Sequence, residues 1–222
     1  MGYVVLRVAK IKSRASLMRA AQHHTRERMP ENADPAASRH NWGDKSAAAV
    51  MARYDALKPE KIRKNAVHAV EFVLTGSPEA LRALPEQQRG DFFEDALRWA
   101  QGRLGGSLNT LCFALHQDEL SPHLHVVMMP LKDGKLNARA FIGGHRDVLR
   151  QMQTDFAEEV GKKYGLERGI SKEKTNRQHR PVKEYYQLIN KVVLEERRRQ
   201  AARQLLSQDR IRKLKGKDAL GH

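Results

Sequence analysis

The sequence predicts an α+β fold in which an antiparallel β-sheet of about five strands packs with helices. Strand-like segments and amphipathic helices mix along the chain, without the regular alternation that builds a parallel sheet. Two strand-like segments, 108–116 and 123–131, are joined by only six residues, and so short a connection favours an antiparallel hairpin. Two further segments, 85–104 and 145–164, carry apolar side chains at helical spacing, as expected of helices that cover a sheet.

The remaining elements of the predicted fold precede the hairpin. A β-branched segment, YVVLRV at 3–8, predicts a central strand close to the N-terminus. Helices are predicted over 16–28 and 45–57, separated by a loop rich in Asn, Asp, Pro and Gly. The segment AVHAVEFVLTG at 66–76 predicts the second strand, and Pro78 begins a short helix after it.

The part of the chain after the hairpin divides into two regions. An Asp-Gly turn leads to KLNARAFI (135–142), which is predicted to form a further strand. The pattern of apolar residues breaks near the end of the last amphipathic helix, and a long basic helix is predicted after that break. We therefore expect one main domain over 1–174 and a basic helical extension over 175–222.

Composition excludes several classes of protein. Of the 222 residues, 40% are hydrophobic and 30% are charged, which is typical of a globular chain and not of a disordered or membrane-embedded one. The single cysteine, Cys112, excludes an intramolecular disulfide framework and fits a reducing compartment, so we expect a cytoplasmic protein. Cys112 lies in the apolar segment LCFAL and is predicted to be a small buried core residue.

Positive charge is concentrated at the two ends of the chain, which carries a net charge of +15. Residues 1–64 hold 14 Lys and Arg against 6 Asp and Glu, and residues 175–222 hold 13 against 5, whereas the residues between them hold 14 against 15. A near-neutral centre between two basic ends indicates a polyanionic partner, with nucleic acid ahead of an acidic membrane surface. A basic protein without a specific partner is the alternative interpretation.

The strongest chemical signal is the segment HQDELSPHLH, which links the two hairpin strands. Alternate residues of a strand project from the same face, so His123 and His125 point the same way, and a short hairpin brings His116 within reach of them. Three neutral imidazoles can bind a borderline divalent ion and leave other positions open for substrate. Asp118 and Glu119 are near enough to join the ligands or to orient one of them.

These histidines have two other interpretations. They could be unrelated turn residues, since a single His-x-His pair is a weak signal. A closed structural zinc site is disfavoured, because no second cysteine is available to complete a tetrahedral shell. Imidazole ligands favour Mn²⁺ or another transition ion over Mg²⁺, which prefers oxygen ligands.

These motifs resemble those of the Mob/Pre (MobV-type) plasmid mobilisation relaxases, a branch of the HUH (His-hydrophobe-His) endonucleases. HQDELSPHLH and the following VVMMPLKDGKLNARAF resemble the third motif of that family. The N-terminal YVVLRVAKIKSRASLMRAAQHHTRER looks like its first motif, and DPAASRHNW is similar to its second. IRKNAV and YGLERG also match segments of the family, so the resemblance extends from residue 1 to about 170.

The resemblance implies an HUH relaxase-like sandwich that acts in plasmid mobilisation, conjugation and plasmid recombination. Such an enzyme nicks one strand of transfer-origin DNA by transesterification and keeps the 5′ phosphate covalently attached. His116, His123 and His125 would bind the metal, with Mn²⁺ favoured over Mg²⁺, and Glu119 would be a supporting or activating carboxylate. Single-stranded or hairpin origin DNA is the expected partner, no small-molecule substrate is expected, and a homodimer and a conjugation coupling protein are further candidates.

The resemblance also implies a histidine as the nucleophile. His23 and Arg26 fit the family pattern His-x-x-Arg, whereas His24 does not and is the alternative. Neutral imidazole, with an ordinary pKa of ~6.5, is nucleophilic at pH 7, while a tyrosine near ~10 has to ionise first. The tyrosines are further alternatives, although none has the Tyr-x-x-Lys spacing of rolling-circle initiators: Tyr3, Tyr54, Tyr164, Tyr185 and Tyr186.

Four residues are candidate DNA contacts. Arg39 and Asn41 belong to the second motif, in which Asp34 stands where Asn is usual. Arg63 and Lys64, in IRKNAV, are candidate phosphate contacts. Two other functions stay open: an HUH replication initiator or transposase that uses tyrosine, and a non-catalytic basic DNA-binding protein.

Overall fold

A computed structural model describes residues 2–143 and 146–169, and the α+β class is confirmed for that part of the chain. Its strands are β1 (Gly2–Ile11), β2 (Trp42–Gly43), β3 (Ala69–Gly76), β4 (Thr110–His116), β5 (His123–Met128), β6 (Leu131–Lys132), β7 (Lys135–Leu136) and β8 (Leu166–Arg168). Its α-helices are α1 (Arg14–His24), α2 (Ala47–Leu57), α3 (Pro78–Ala83), α4 (Glu86–Arg103), α5 (Ala138–Ile142) and α6 (Arg146–Glu159).

One mixed sheet organises these elements, with the strand order β2-β4-β5-β3-β1-β8. Every neighbouring pair is antiparallel except β1 and β8, which run parallel. The predicted hairpin is β4–β5, and the sheet contains six strands where about five were expected. The short edge strands β2 and β8 contain two and three residues, too few to produce a recognisable period in the sequence.

Helices cover the sheet on two sides. The predicted amphipathic helices, α4 and α6, pack over one face, where Phe72 and Leu124 from the strands meet Phe92 and Phe156 from the helices. A second core lies on the opposite face, where α1 and α2 pack against the strands. Cys112 is fully buried in this second core, as predicted.

Helix α1 is shorter than predicted, and its boundaries have local causes. Ser13 is the N-cap, and its hydroxyl accepts a hydrogen bond from the backbone N–H of Ser16 at 3.1 Å. The helix ends at His24, where Thr25 donates its hydroxyl to the carbonyl of Ala21 at 2.9 Å. The last turn of α1 therefore presents two adjacent histidines to the sheet.

The prediction of a strand over KLNARAFI was wrong in its second half. Only Lys135–Leu136 forms a strand, which pairs with β6 across the predicted Asp-Gly turn. Asn137 then caps α5 by accepting a hydrogen bond from the backbone N–H of Ala140, and the residues that follow it are good helix formers. The predicted extension over 175–222 lies outside the described residues. Within the described part, no helix has both the length and the apolar character needed to cross a membrane.

Candidate metal centre and active site

The three predicted ligand histidines lie together on the sheet face that α1 covers. His116, the last residue of β4, is the cross-strand partner of His123, the first residue of β5. His125 follows two residues later on the same face. The ring centroids of the three side chains are 4.8 to 5.2 Å from one another.

Hydrogen bonds select one tautomer for each of these rings. One nitrogen of each ring lies close to an oxygen that can only accept: His116 Nε2 is 2.9 Å from the His24 carbonyl, His123 Nδ1 is 2.8 Å from the Ser121 carbonyl, and His125 Nδ1 is 2.8 Å from Glu71 Oε1. These nitrogens therefore carry the N–H, and the other nitrogen of each ring keeps its lone pair. The free nitrogens of His116 and His125 are buried without a hydrogen-bond partner among the described residues.

This donor set fits a divalent metal ion. A buried nitrogen that keeps its lone pair without a partner is costly in an ordinary core, and metal coordination would satisfy it. Burial is the main cause that lowers the pKa of His116 to about 3, and it also holds the pKa of His125 well below the ordinary value. Both rings are therefore neutral at pH 7, which is the form that a metal requires.

Three overlapping groups of side chains have ligand atoms within 4.8 Å of one another. They are His23–His116–His125, His116–Glu119–His123 and His24–Glu71–His125. Hydrogen bonds account for the third group, because Glu71 Oε1 accepts from both histidines of that group at 2.8 Å. The first two groups share His116 and contain the free nitrogens, so they mark the candidate metal centre.

Glu71 is the site residue that the sequence analysis missed. It lies on β3 and links the predicted ligand His125 to His24 of helix α1. Burial by itself raises the pKa of Glu71, but the hydrogen bonds from His125 and His24 outweigh it and hold the pKa well below its usual range. One signal could have identified it: Glu71 is the single charged residue in β3, and a carboxylate in a half-buried strand usually has a partner.

The turn between β4 and β5 is held by Arg26, which follows the end of helix α1. Arg26 donates two hydrogen bonds to Asp118, at 2.9 and 2.6 Å, and a third to Glu119 at 2.8 Å. Its backbone φ is 60°, a conformation that non-glycine residues rarely adopt. Burial by itself raises the pKa of Asp118, but hydrogen bonds from Arg26 and Asn41 outweigh it and hold the pKa well below its usual range.

Glu119 occupies a place between this turn and the histidines. Its carboxylate accepts from Arg26 and from the side-chain amide of Asn32, both at 2.8 Å. The Nε2 of His123 is 3.9 Å from Glu119 Oε1. The carboxylate that orients a predicted ligand imidazole is Glu71, which accepts a hydrogen bond from His125.

The two adjacent histidines at the end of α1 differ in accessibility. His24 is 3% exposed, and its Nε2 lies 2.8 Å from Glu71. His23 is partly exposed, and its ring centroid lies 5.6 Å from those of both His116 and His125. Burial, followed by the charges of His24 and Arg26, lowers the pKa of His23 to about 4. His23 is therefore neutral at pH 7 and accessible beside the candidate metal centre.

The described tyrosines lie outside the histidine cluster. Tyr54 is 1% exposed, and its hydroxyl is 2.5 Å from His68 Nδ1. Tyr164 donates to Asp95 at 3.0 Å, and burial together with that carboxylate raises its pKa to about 12. Tyr3 lies in β1 and makes its hydrogen bonds to Ser77 through the backbone. The last two tyrosines of the sequence lie outside the described residues.

The candidate DNA contacts of the second motif have different surroundings. Asn41 is 9% exposed and bridges two parts of the site: its amide donates to Asp118 at 2.7 Å and its oxygen accepts from the backbone N–H of Gln117 at 2.7 Å. This placement favours a supporting role for Asn41 over direct DNA contact. Arg39 is exposed, with its Nε 3.1 Å from His40 Nε2.

The other two candidate contacts, Arg63 and Lys64, are exposed and belong to a different surface. Arg63 donates to the carbonyl of Leu136 at 3.2 Å. It also lines a cleft of about 290 Å³ with the cationic side chains of Lys10 and Arg139. These two residues remain predicted phosphate contacts, on a surface away from the histidine cluster.

Comparisons with known proteins point to one family. A sequence model of the Mob_Pre family, described as plasmid recombination enzyme, matches residues 1–187. The chain is similar to plasmid recombination enzyme type 1 of Staphylococcus aureus, with 30% identity over 200 residues that cover 83% of this chain and 49% of that protein. A 65 kDa protein of Zymomonas mobilis is also 30% identical over 200 residues, which cover 86% and 33% of the two chains. The chain thus spans about half or less of the length of these relatives.

Solved structures with the same fold include a MobM relaxase domain (MOBV; Mob_Pre) in a manganese-bound complex with 22 nucleotides of plasmid pMV158 oriT DNA. The TM-score is 0.71 at 28% identity, and the match covers 84% of this chain and 99% of that domain. A complex of the MobM relaxase domain with 26 nucleotides of oriT DNA has a TM-score of 0.62 at 26% identity, with coverage of 82% and 99%. The match therefore includes nearly all of that domain.

Proposed function

The chain belongs to the Mob_Pre family of plasmid recombination enzymes, and from that premise we propose that it is a metal-dependent relaxase. In this proposal the protein nicks and rejoins one strand of plasmid transfer-origin DNA. The observation that carries it is the set of three histidines, each with one free nitrogen, beside the neutral and accessible His23. The manganese-bound complex of the similar MobM domain with oriT DNA supports both the substrate and the ion.

The metal would be held by the free nitrogens of His116, His123 and His125. When bound, it would polarise a phosphoryl oxygen and offset the negative charge that develops there during the reaction. Glu71 fixes the tautomer of His125, and the backbone carbonyls of His24 and Ser121 do the same for the other two rings. An all-imidazole set favours Mn²⁺ over Mg²⁺.

His23 would be the nucleophile. Its neutral imidazole uses a nitrogen lone pair to form an N–P bond with the scissile phosphate, while the bond from phosphorus to the 3′ oxygen breaks. The electrons of the broken bond go to that oxygen, which takes a proton from water and leaves as a 3′ hydroxyl, while the phosphorylated ring releases its remaining N–H proton to water. The 5′ end of the strand stays on His23 as a phosphoramidate, and attack by a 3′ hydroxyl reverses the step and rejoins DNA.

Glu119 and Arg26 would support that step without touching the phosphate. The attacking ring becomes positively charged during the step. The negative charge of Glu119 acts to raise the pKa of His23, which favours this charged form of the ring. Arg26 is engaged with Asp118 and Glu119, so its role is to hold the turn and keep Glu119 in position. Asn41 secures the same turn through Asp118.

An open part of the sheet next to the histidines suits a single DNA strand. The side chains of Val5, Arg7 and Ala9 on β1 are exposed. Arg7 pairs with Val73, and Val73 pairs with His125. The side chains of Arg7, Val73 and His125 therefore lie in one row across the strands, on the same face of the sheet. With neighbouring strands ~4.8 Å apart, the backbone of Arg7 lies roughly 10 Å from that of His125. An exposed cation at this distance would contact a phosphate that flanks the nick.

The test is a nicking assay with single-stranded oligonucleotides that span the transfer origin of the replicon carrying this coding sequence. With Mn²⁺, we expect a covalent adduct on the 5′ fragment that acid hydrolyses, because a phosphoramidate is acid-labile whereas a phosphotyrosyl bond is not. His23→Ala should abolish the adduct, and His40→Ala, at an exposed histidine in the second motif, should leave it unchanged.

Three outcomes would contradict the proposal. An adduct that survives acid would favour a tyrosine-dependent replication initiator or transposase. Binding of the oligonucleotide without any adduct would favour the non-catalytic DNA-binding protein. Full nicking by the His23→Ala variant would remove His23 from the mechanism.

A homodimer, a conjugation coupling protein as partner, and a cytoplasmic location remain predictions from the sequence.

A further inference from the structure

Trp42 is a large aromatic side chain on the surface of the edge strand β2. It is 46% exposed, whereas Trp99, the other tryptophan of the sequence, is 7% exposed in the core. The Trp42 ring packs on the ring of Phe113, with 4.9 Å between centroids and 53° between planes. One side of the indole therefore has an aromatic support, while nearly half of the residue's surface remains accessible.

The backbone around Trp42 is tightly held. Gly43 has a φ of 120°, and a side chain there would lie 2.3 Å from the carbonyl oxygen of Phe113, so only glycine allows this close approach. Asp44 donates its backbone N–H to that carbonyl at 2.9 Å and accepts the Phe113 N–H through its carboxylate at 3.0 Å. The indole is therefore positioned before any ligand arrives, and binding to it costs little ordering entropy.

This aromatic pair is connected directly to the histidine site. Trp42 is the cross-strand partner of Leu115, which precedes the predicted ligand His116. Successive residues of a strand face opposite sides, so Trp42 lies at the sheet edge on the face opposite His116. The preceding residue, Asn41, donates to Asp118, which Arg26 holds. A DNA strand that leaves the histidines and passes around this edge would meet Trp42.

The surroundings of Trp42 have the charge that such a strand needs. The basic side chains of Arg39 and Lys45 are exposed on either side of it in the sequence. Asp44, the nearest acidic residue, already forms an ion pair with Arg53. An accessible aromatic ring flanked by cations is the usual combination in proteins that bind single-stranded nucleic acid, where the ring stacks on a base and the cations contact phosphates.

We propose that Trp42, supported by Phe113, is a stacking platform for one unpaired base of the DNA that flanks the nick. The proposal rests on the proposed relaxase function, since it takes single-stranded origin DNA as the ligand. It adds a recognition element on the far side of the sheet edge, outside the metal centre and the nucleophile. A base–aromatic stack has no requirement for one particular base, so Trp42 would contribute affinity and register more than sequence readout.

The first test measures binding of the full chain to fluorescent single-stranded origin oligonucleotides without metal, so that no nicking occurs. Trp42→Ala should weaken binding by about 5- to 150-fold, the range found when a stacking aromatic is removed. Trp42→Phe should retain most of the affinity, because phenylalanine can still stack. Leu108→Ala is the matched control, since Leu108 is an apolar residue that is 84% exposed, and it should bind as the wild type does.

The second test identifies the base. An abasic site is moved along the oligonucleotide, and the effect of Trp42→Ala is measured at each position. At the position that stacks, the abasic substitution and Trp42→Ala should each weaken binding, and the double change should add little to either. DNA should also quench the fluorescence of the wild type and much less that of Trp42→Phe, because the remaining tryptophan is buried.

Each outcome distinguishes this proposal from the relaxase function. If wild type binds and nicks DNA and Trp42→Ala binds equally well, the stacking platform is refuted while the relaxase function stands. If wild type binds DNA in a Trp42-dependent way but forms no adduct, the nicking proposal fails alone. If the wild type does not bind single-stranded DNA, both fail. Unchanged thermal unfolding of Trp42→Ala checks that its loss of binding is not a loss of fold.

Discussion

At the scale of single residues, the site depends on which nitrogen of each histidine carries the proton. Glu71 has the largest influence, because one carboxylate oxygen accepts from both His125 and His24. It thereby selects the His125 tautomer that leaves Nε2 free, and the same contact withdraws His24 from the group of accessible histidines. The difference in accessibility between His24 and the adjacent His23 thus depends on a contact with a residue of strand β3.

Replacing Glu71 with glutamine tests this role. The amide keeps the shape but removes the negative charge and can present an N–H to the ring, so His125 becomes a poorer ligand. We expect Mn²⁺ affinity, measured by calorimetric titration, to fall by about 10- to 100-fold, the effect typical of lost support behind a ligand. Glu79→Gln, at an exposed position on α3, should bind Mn²⁺ as the wild type does. Equal Mn²⁺ affinities for Glu71→Gln and Glu79→Gln would contradict the role of Glu71 as the residue that supports His125.

At the scale of elements, the short strand β2 connects the second motif to the metal centre. It contains only two residues, but it pairs with β4 next to His116, and the residue before it, Asn41, secures Asp118. The docking requires Gly43, whose backbone adopts a φ of 120° against the carbonyl of Phe113. An edge strand of this length has little stability of its own. A side chain introduced at Gly43 should therefore displace β2 and disturb the contact between Asn41 and Asp118.

Gly43→Ala should therefore destabilise the fold and the site together. A side chain at Gly43 would meet Phe113 and Ala114 backbone atoms at 2.3 and 2.9 Å, so we expect a loss of roughly 1–3 kcal/mol in the free energy of unfolding. Nicking should fall as well. The comparison is Gly90→Ala in α4, where a side chain meets nothing within 4 Å, and alanine should stabilise the helix by about 0.5–1 kcal/mol. Urea unfolding measures the stability of both variants, and a Gly43→Ala protein as stable as the wild type would contradict the prediction.

At the scale of the whole molecule, burial of neutral histidines makes the metal-free protein sensitive to acid. The folded-state pKa values of His23 and His116 are lowered to about 4 and about 3, and that of His125 is lowered further below its ordinary value. In the unfolded chain these groups titrate near ~6.5. Between these values the unfolded chain binds protons that the folded chain does not, so folding stability is complete above about pH 6.5 and falls as the pH decreases.

The prediction is that the free energy of unfolding without metal decreases from pH 7 to pH 5. Each buried histidine contributes at most about 1.4 kcal/mol per pH unit. His116→Gln should reduce the slope, because one of the titrating groups is gone. Mn²⁺ should raise the free energy of unfolding at pH 7, because the ion binds the folded protein in preference to the unfolded chain. Urea unfolding at several pH values measures both, and a stability that is independent of pH in this range would contradict the prediction.

Part of this fold and site could be predicted because its signals are local. The β4–β5 hairpin follows from two strand periods and a six-residue connection, and the same period puts His123 and His125 on one face. The helices α4 and α6 follow from apolar residues at helical spacing. The strand predicted over the second half of KLNARAFI is wrong because Asn137 caps a helix there instead of continuing the strand.

The sequence by itself determined the α+β class, the hairpin, the cluster of three histidines, the basic character and the family. Only the tertiary structure decided that Glu71 supports His125, that His24 is buried while His23 is accessible, and that Arg63 and Lys64 lie away from the histidines. The reason is the distance along the chain: Glu71 is 47 residues from His24, and Arg26 is 92 residues from Asp118. Such contacts form when strands and helices pack, and no local period in the sequence encodes them.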